Sequence, residues 1–326
     1  MKAIIPAAGI GKRLRPHTYS LPKALLYVAG RPIISHILDE VTKLKVSSVA
    51  LIVGYKGDMI EAYVRGEYPN VKVDFVYQNE RKGIGHAINM TRDVADEGEP
   101  LLIILGDTII QTDLAKIVQS EHNALGVKEV EDPRRFGVAE VGGGLITKLV
   151  EKPKNPASNL ALVGLYYLSD SSLLFEMLKE QIEKDIRHHG EYQVTDALQM
   201  MIDRGASFSP FGIDEWFDCG NADALLETNR KLLEERESAG PVDGSTIIAP
   251  SAVDPTATIV NSTIGPHVSI AAGATVSGST IRDSVIDRGA RVENSVLAGS
   301  IIGAEAVVIG ASGKLNIGDS SEVVVT

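Results

Sequence analysis

Branched apolar residues recur at Val253, Ile259, Ile264, Ile270, Val276, Ile281, Ile286, Val292, Leu297, Ile302 and Val308, and every step between them is five or six residues. A helix face repeats every three or four residues and a strand face every two, so neither absorbs this period. Ten such steps in succession predict short strands stacked as a left-handed parallel β-helix, each hexad forming one side of a triangular coil, about three coils in all. Each coil would bury its apolar rung against the next and leave flat faces on which another subunit can pack, so a homo-oligomer is expected.

Upstream of the repeat the pattern differs. Short apolar runs alternate with longer amphipathic ones: "KAIIPAA", "ISHILDEVTKL", "SSVALIVG", "KGDMIEAYV", "VDFVYQ", "GHAINMTRDVA" and "LLIILGD". Strand, helix, strand, helix predicts an α/β fold, a doubly wound, mostly parallel Rossmann-like sheet, whose ligands bind at the carboxyl ends of the strands. Lys and Glu thin out abruptly near 236–245, after "ADALLETNRKLLEERESAG", which divides the chain into a first domain over 1–238 and the β-helix over 245–326. Removing 245–326 is expected to alter oligomeric state more than chemistry.

Among the 326 residues no apolar run approaches the roughly 20 that a membrane helix needs, and Pro6 and the glycines cut the first one short, so no membrane association or targeting segment is expected. One cysteine, Cys219, excludes an internal disulfide framework and a cysteine-cluster metal site, which agrees with a cytoplasmic protein. A net charge of −11 argues against nucleic acid as partner, because such surfaces cluster Lys and Arg over phosphates. Against that acidic background Lys12, Arg13, Arg15 and Lys23 form a local exception.

Those cations surround "AAGIGKRLRP", a glycine-rich turn at the end of the first strand. Glycine lets a backbone approach an anion closely and aims N–H groups at it. The turn lacks the third glycine of the dinucleotide fingerprint, and no Walker sequence is present, so neither of those sites is supported. Convergent lysines and arginines beside backbone donors suit a polyphosphate; at least one of Lys12 and Arg15 is expected to be plain surface charge.

"AAGIGKRLRPHTYSLPKALLYVAGRPII" resembles the opening of the sugar-1-phosphate nucleotidylyltransferases, G-x-G-x-R-L-x-P-x-T followed by P-K. The similarity extends through "YQNERKGIGHAI", "LGD" at Asp107, "DPRRFGVAEV", "EKPKNPASNLALVGLYYL" and "WFDCGNADALLETNR", nearly all of the first 235 residues. The terminal repeat fits too, since the long form of glucose-1-phosphate thymidylyltransferase ends in a left-handed β-helix. The resemblance implies an enzyme that joins a sugar 1-phosphate to a nucleoside triphosphate, dTTP or UTP, with release of pyrophosphate. It implies Arg13 and Lys23 as the catalytic cations, and Ala8, Gly9, Gly11, Gln78 and Gly83 against the nucleotide. Gly137, Glu151, Lys152 and Tyr166 would surround the sugar and its phosphate, and Asp107 and Asp218 would hold Mg²⁺. Trp216 either walls the sugar pocket or fills core. His17 and His86 lack metal-ligand spacing and read as ordinary hydrogen-bonding histidines.

Two departures leave the substrates open. "KGIGHAI" is closer to uridylyltransferases and "SNLALVGLYYL" to thymidylyltransferases, and one methyl separates the two bases. "GEYQVTDAL" is similar to segments of several of these enzymes and does not separate glucose from N-acetylglucosamine. Two rival readings stand beside the main one. A bifunctional enzyme would use the β-helix as an acetyltransferase, against which stand about three coils and a His267 without an evident partner. A non-catalytic sugar-nucleotide sensor or scaffold would have no need for Arg13, Lys23, Asp107 and Asp218 together.

Overall fold

The computed structural model describes residues 1–120, 122–234 and 244–325. The predicted boundary near 236–245 and the end of the 1–238 domain therefore lie largely outside the described residues. The chain forms two compact units, one of Met1–Gly9 with Ile37–Trp216 and the other of Ile10–His36 with Phe217–Thr326.

The first unit is built on a nine-stranded sheet. Lys2–Pro6 runs parallel between Ser48–Val53 and Leu101–Ile104, and Val73–Tyr77 extends the parallel half beyond Ser48–Val53. All six residues of Ser48–Val53 are buried, as expected of a strand covered on both faces. The predicted helices follow the strands, at Gly57–Glu67 and Ile84–Asn89. The other half of the sheet is mixed: Leu160–Leu168 lies antiparallel to Leu101–Ile104, to Asn123–Glu129 and to Gly137–Gly142, and Phe208–Gly212 runs parallel to Asn123–Glu129. Gly137–Gly142 returns antiparallel as Leu145–Glu151 through Gly143 and Gly144, both at positive φ, which is the backbone a two-residue hairpin requires. Helix Val194–Asp203 buries Val194, Ala197, Leu198 and Met201, one face at helical spacing, in the core beside the sheet.

In the second unit, Thr246–Ile247 through Glu322–Val324 form three parallel sheets of five strands each, the arrangement of a left-handed β-helix. All eleven apolar positions of the repeat lie in or against one buried core. They stack in register, Ile264 on Ile281 on Leu297 and Val276 on Val292 on Val308. Corner serines join the coils: the Oγ atoms of Ser262, Ser279 and Ser295 accept the backbone N–H of Ser279, Ser295 and Ala311 at 3.0–3.1 Å. These buried hydroxyls satisfy amides that a turning chain would otherwise leave unpaired.

Two expectations are corrected here. The described residues make five coils, not about three: Ile247 stacks on Ile264 before the first counted rung, and past Val308 the rungs continue as Ile317 on Ile302 and Val323 on Val308, with Gly313 under Leu297 breaking the run of branched residues. His267 has partners: Nδ1 lies 3.4 Å from Asp283 and Nε2 4.0 Å from Glu234. Neither coil number nor a lone histidine thus argues against a second activity.

Candidate active site

The carboxyl ends of the parallel strands in the first unit are packed backbone against backbone. Ala7 N–H donates to Ile52 O at 2.7 Å and Gly106 N–H to Pro6 O at 3.0 Å. A Cβ on Gly106 would stand 2.8 Å from Pro6 O, and one on Gly54 2.9 Å from Ala8 Cβ, so both glycines are needed for this approach. Ala8 is buried in the core, whereas a Cβ on Gly9 would meet nothing within 4 Å.

Of the predicted base readers, Gln78 and Gly83 come together. The Gln78 side chain is buried, and its Nε2 donates to Gly83 O at 3.1 Å and lies 3.1 Å from His86 Nδ1. Burial, and then the charge of Lys82, lower the His86 pKa, which favours the neutral ring this contact needs. Gly83 has φ 107°, and a Cβ there would lie 2.7 Å from Tyr192 N. Tyr192 clamps the turn by donating its N–H to Lys82 O and accepting that of Gly85, each at 2.8 Å.

The predicted sugar residues also converge. Glu151 is 7% exposed; its Oε2 accepts from Thr195 Oγ1 at 2.7 Å, and its Oε1 lies 3.0 Å from Lys152 Nζ. A Cβ on Gly137 would reach Thr195 Oγ1 at 3.0 Å and Glu151 Oε2 at 3.3 Å. Tyr166 is fully buried; burial first, then the negative charges of Glu151 and Asp107, push its pKa up and keep the phenol protonated. Asp107 follows Leu101–Ile104, with Thr108 Oγ1 3.5 Å from its Oδ1. Trp216 meets Phe136 edge-on at 4.9 Å between ring centres. Thr195 is the residue that sequence reasoning missed, although it lies in "GEYQVTDAL" at the start of a helix.

The remaining candidates belong to the second unit. Gly11 is left-handed at φ 68°, and a Cβ would stand 3.1 Å from both Lys23 Cβ and Thr18 Cγ2. Thr18 Oγ1 donates to Gly11 O at 2.9 Å and closes the turn. Lys23 is buried, while Arg13 is exposed. A Cβ on Gly220 would lie 2.9 Å from Arg13 Nη2 and from both Asp218 carboxylate oxygens, so the Arg13 and Asp218 side-chain ends both lie close to Gly220. The Arg15 guanidinium stacks on exposed Tyr19 at 4.6 Å, and Lys12 is exposed, both in keeping with surface charge.

Among the described residues no three His, Cys, Asp or Glu gather into a metal cage. Asp107 and Asp218 are hard oxygen donors, and Mg²⁺ is commonly carried by one or two carboxylates completed by phosphates and water, so the donor chemistry fits that ion. No helix among the described residues is long and apolar enough to cross a membrane.

Residues 2–235 match the family model described as nucleotidyl transferase. The glucose-1-phosphate thymidylyltransferase of Streptomyces griseus is 31% identical over 98% of this chain and 98% of its own length. The UTP–glucose-1-phosphate uridylyltransferase of Haloferax volcanii is 32% identical over 73% of this chain and 99% of its own. A crystal structure of UDP-glucose pyrophosphorylase complexed with UDP-glucose is similar at a TM-score of 0.63 and 26% identity, covering 72% of this chain and 99% of that one.

Proposed function

The chain belongs to the nucleotidyl transferase family, and on that premise we propose that it joins glucose 1-phosphate to dTTP or UTP, giving a nucleoside diphosphate sugar and pyrophosphate. The observation that carries this reading is the buried Glu151, held by Thr195 and Lys152 beside Gly137, its charge acting together with that of Asp107 on Tyr166. A carboxylate fixed in this way accepts hydrogen bonds from sugar hydroxyls. Relatives named for thymidylyl and uridylyl transfer to glucose 1-phosphate support the substrate class.

The reaction is an in-line attack of a sugar-phosphate oxygen on the α-phosphorus of the triphosphate. That oxygen is already negative at neutral pH, so no side chain has to act as base. The barrier is the meeting of two anions, and positioning and charge neutralisation lower it. Arg13 and Lys23 supply the positive charge that stabilises the departing pyrophosphate and the reacting phosphate. Gly9 and Gly11 let the backbone reach the nucleotide, and Gln78 sets the Gly83 turn against the base. Mg²⁺, for which Asp107 and Asp218 each offer a hard oxygen donor, would neutralise charge on the phosphates.

Incubating the protein with Mg²⁺, glucose 1-phosphate and dTTP or UTP, and following phosphorus NMR, tests this directly. The two resonances of a nucleoside diphosphate sugar are expected; a spectrum in which both substrates persist would refute the proposal.

A further inference from the structure

Arg13 and Lys23 sit on a segment with little stability of its own. Its regular pieces are three 3₁₀ turns of three residues, Lys12–Leu14, His17–Tyr19 and Lys23–Leu25, none closed by a side-chain cap. Turns this short do not hold themselves in water. What holds them, within the same unit, is the β-helix.

His17, 4% exposed, points its Nε2 at Asn316 Oδ1, 2.6 Å away. Ser20 Oγ donates to Asp319 Oδ2 at 2.5 Å. Between these bonds Pro16 packs on Gly318, where a Cβ would stand 2.9 Å from Pro16 Cβ. Asp319 is itself anchored, its Oδ1 accepting Ala304 N–H at 3.0 Å. Asn316, Gly318 and Asp319 lie within the last coil, on its strand Asn316–Ile317 and the turn after that strand. A second tie holds the far end of the segment. Asn229, 1% exposed, accepts the Ala29 N–H at 2.9 Å and Ser269 Oγ at 2.6 Å, and donates to His267 O at 3.2 Å.

We propose that the last coil of the β-helix positions the anion turn: Asn316 and Asp319, acting through His17 and Ser20, preset the turn that carries Arg13 for the phosphates of the nucleotide. The proposal rests on reading Arg13 and Lys23 as phosphate ligands. Asn316 and Asp319 are positioning residues that act through the loop. Such presetting removes from binding the cost of ordering the loop, so its loss appears in phosphate affinity and not in sugar affinity.

Inorganic pyrophosphate is the probe, because calorimetry reads its binding to the full chain without turnover. Asn316→Leu leaves the buried His17 Nε2 without its acceptor and should weaken pyrophosphate binding about tenfold, with glucose 1-phosphate affinity unchanged. Asn316→Asp keeps an acceptor oxygen and should retain wild-type affinity. Ser20→Ala, with a smaller expected loss, carries the test if Asn316→Leu does not fold. Equal pyrophosphate affinity in every variant would overturn the proposal, as would parallel loss of both ligands or a wild type that does not bind pyrophosphate. A wild type without transferase activity whose pyrophosphate affinity still depends on Asn316 would instead refute the proposed function and leave the positioning role intact.

Discussion

Asp107 and Asp218 carry the most exacting electrostatic demand in the proposed reaction, since a neutral amide of the same size cannot hold a divalent ion as a carboxylate does. Asp107→Asn and Asp218→Asn should each lower turnover by about 100-fold or more with the melting temperature preserved; steady-state rates beside a thermal scan check both parts. Thr195→Val removes the hydroxyl that orients Glu151. It should raise the KM for the sugar 1-phosphate about tenfold and leave the nucleotide KM unchanged, which separate titrations of each substrate measure. The placement of Gly11, Gln78, Gly83, Asp107 and Glu151 at turns or strand ends was legible in the sequence because each belongs to a short local pattern. Thr195 was not, because its partner lies 44 residues away, a distance that only the folded sheet closes.

Within the β-helix the regular element carries one costly group. Asp287 lines a small cavity with Leu14, His17 and Leu26. Burial pushes its carboxyl up to about 6, against the pull of the Arg288 N–H and with a further push from Asp319. A carboxyl whose folded pKa is raised contributes stability fully present below its unfolded value of 3.8 and lost as pH rises through about 6. Asp287→Asn should therefore match the wild type near pH 4 and become more stable toward pH 7, by about 2–3 kcal/mol at most. His17, whose pKa burial lowers, follows the opposite trend, but it is present in both proteins and cancels in the difference. Thermal melts of the pair across that range measure the effect, and a pH-independent difference would contradict it. The inner coils were legible from Ile264, Ile281 and Leu297 because stacked apolar rungs are what a six-residue period encodes. The last coil was not, because Gly313 takes the rung position under Leu297 and the next rung, Ile317, follows after four residues, which breaks the five-to-six-residue period.

For the whole molecule, the boundary in composition and the grouping in space differ. Lys and Glu thin out near residue 236, yet Ile10–His36 folds into the same unit as the β-helix, and His17 meets Asn316 across 299 positions that no local pattern links. Removing 245–326 is therefore expected to impair phosphate binding as well as to reduce the oligomeric mass; calorimetry with pyrophosphate and light scattering read the two effects. The Haloferax uridylyltransferase, matched along 99% of its length by 73% of this chain, is the natural reference for a shorter family member. The central claim is tested most directly by pyrophosphate release with Mg²⁺, crossing dTTP, UTP, ATP, GTP and CTP against the 1-phosphates of glucose, N-acetylglucosamine, galactose and mannose. The account predicts fastest release from dTTP or UTP with glucose 1-phosphate; silence across the whole grid would contradict it and make the anion turn a site that binds without transfer.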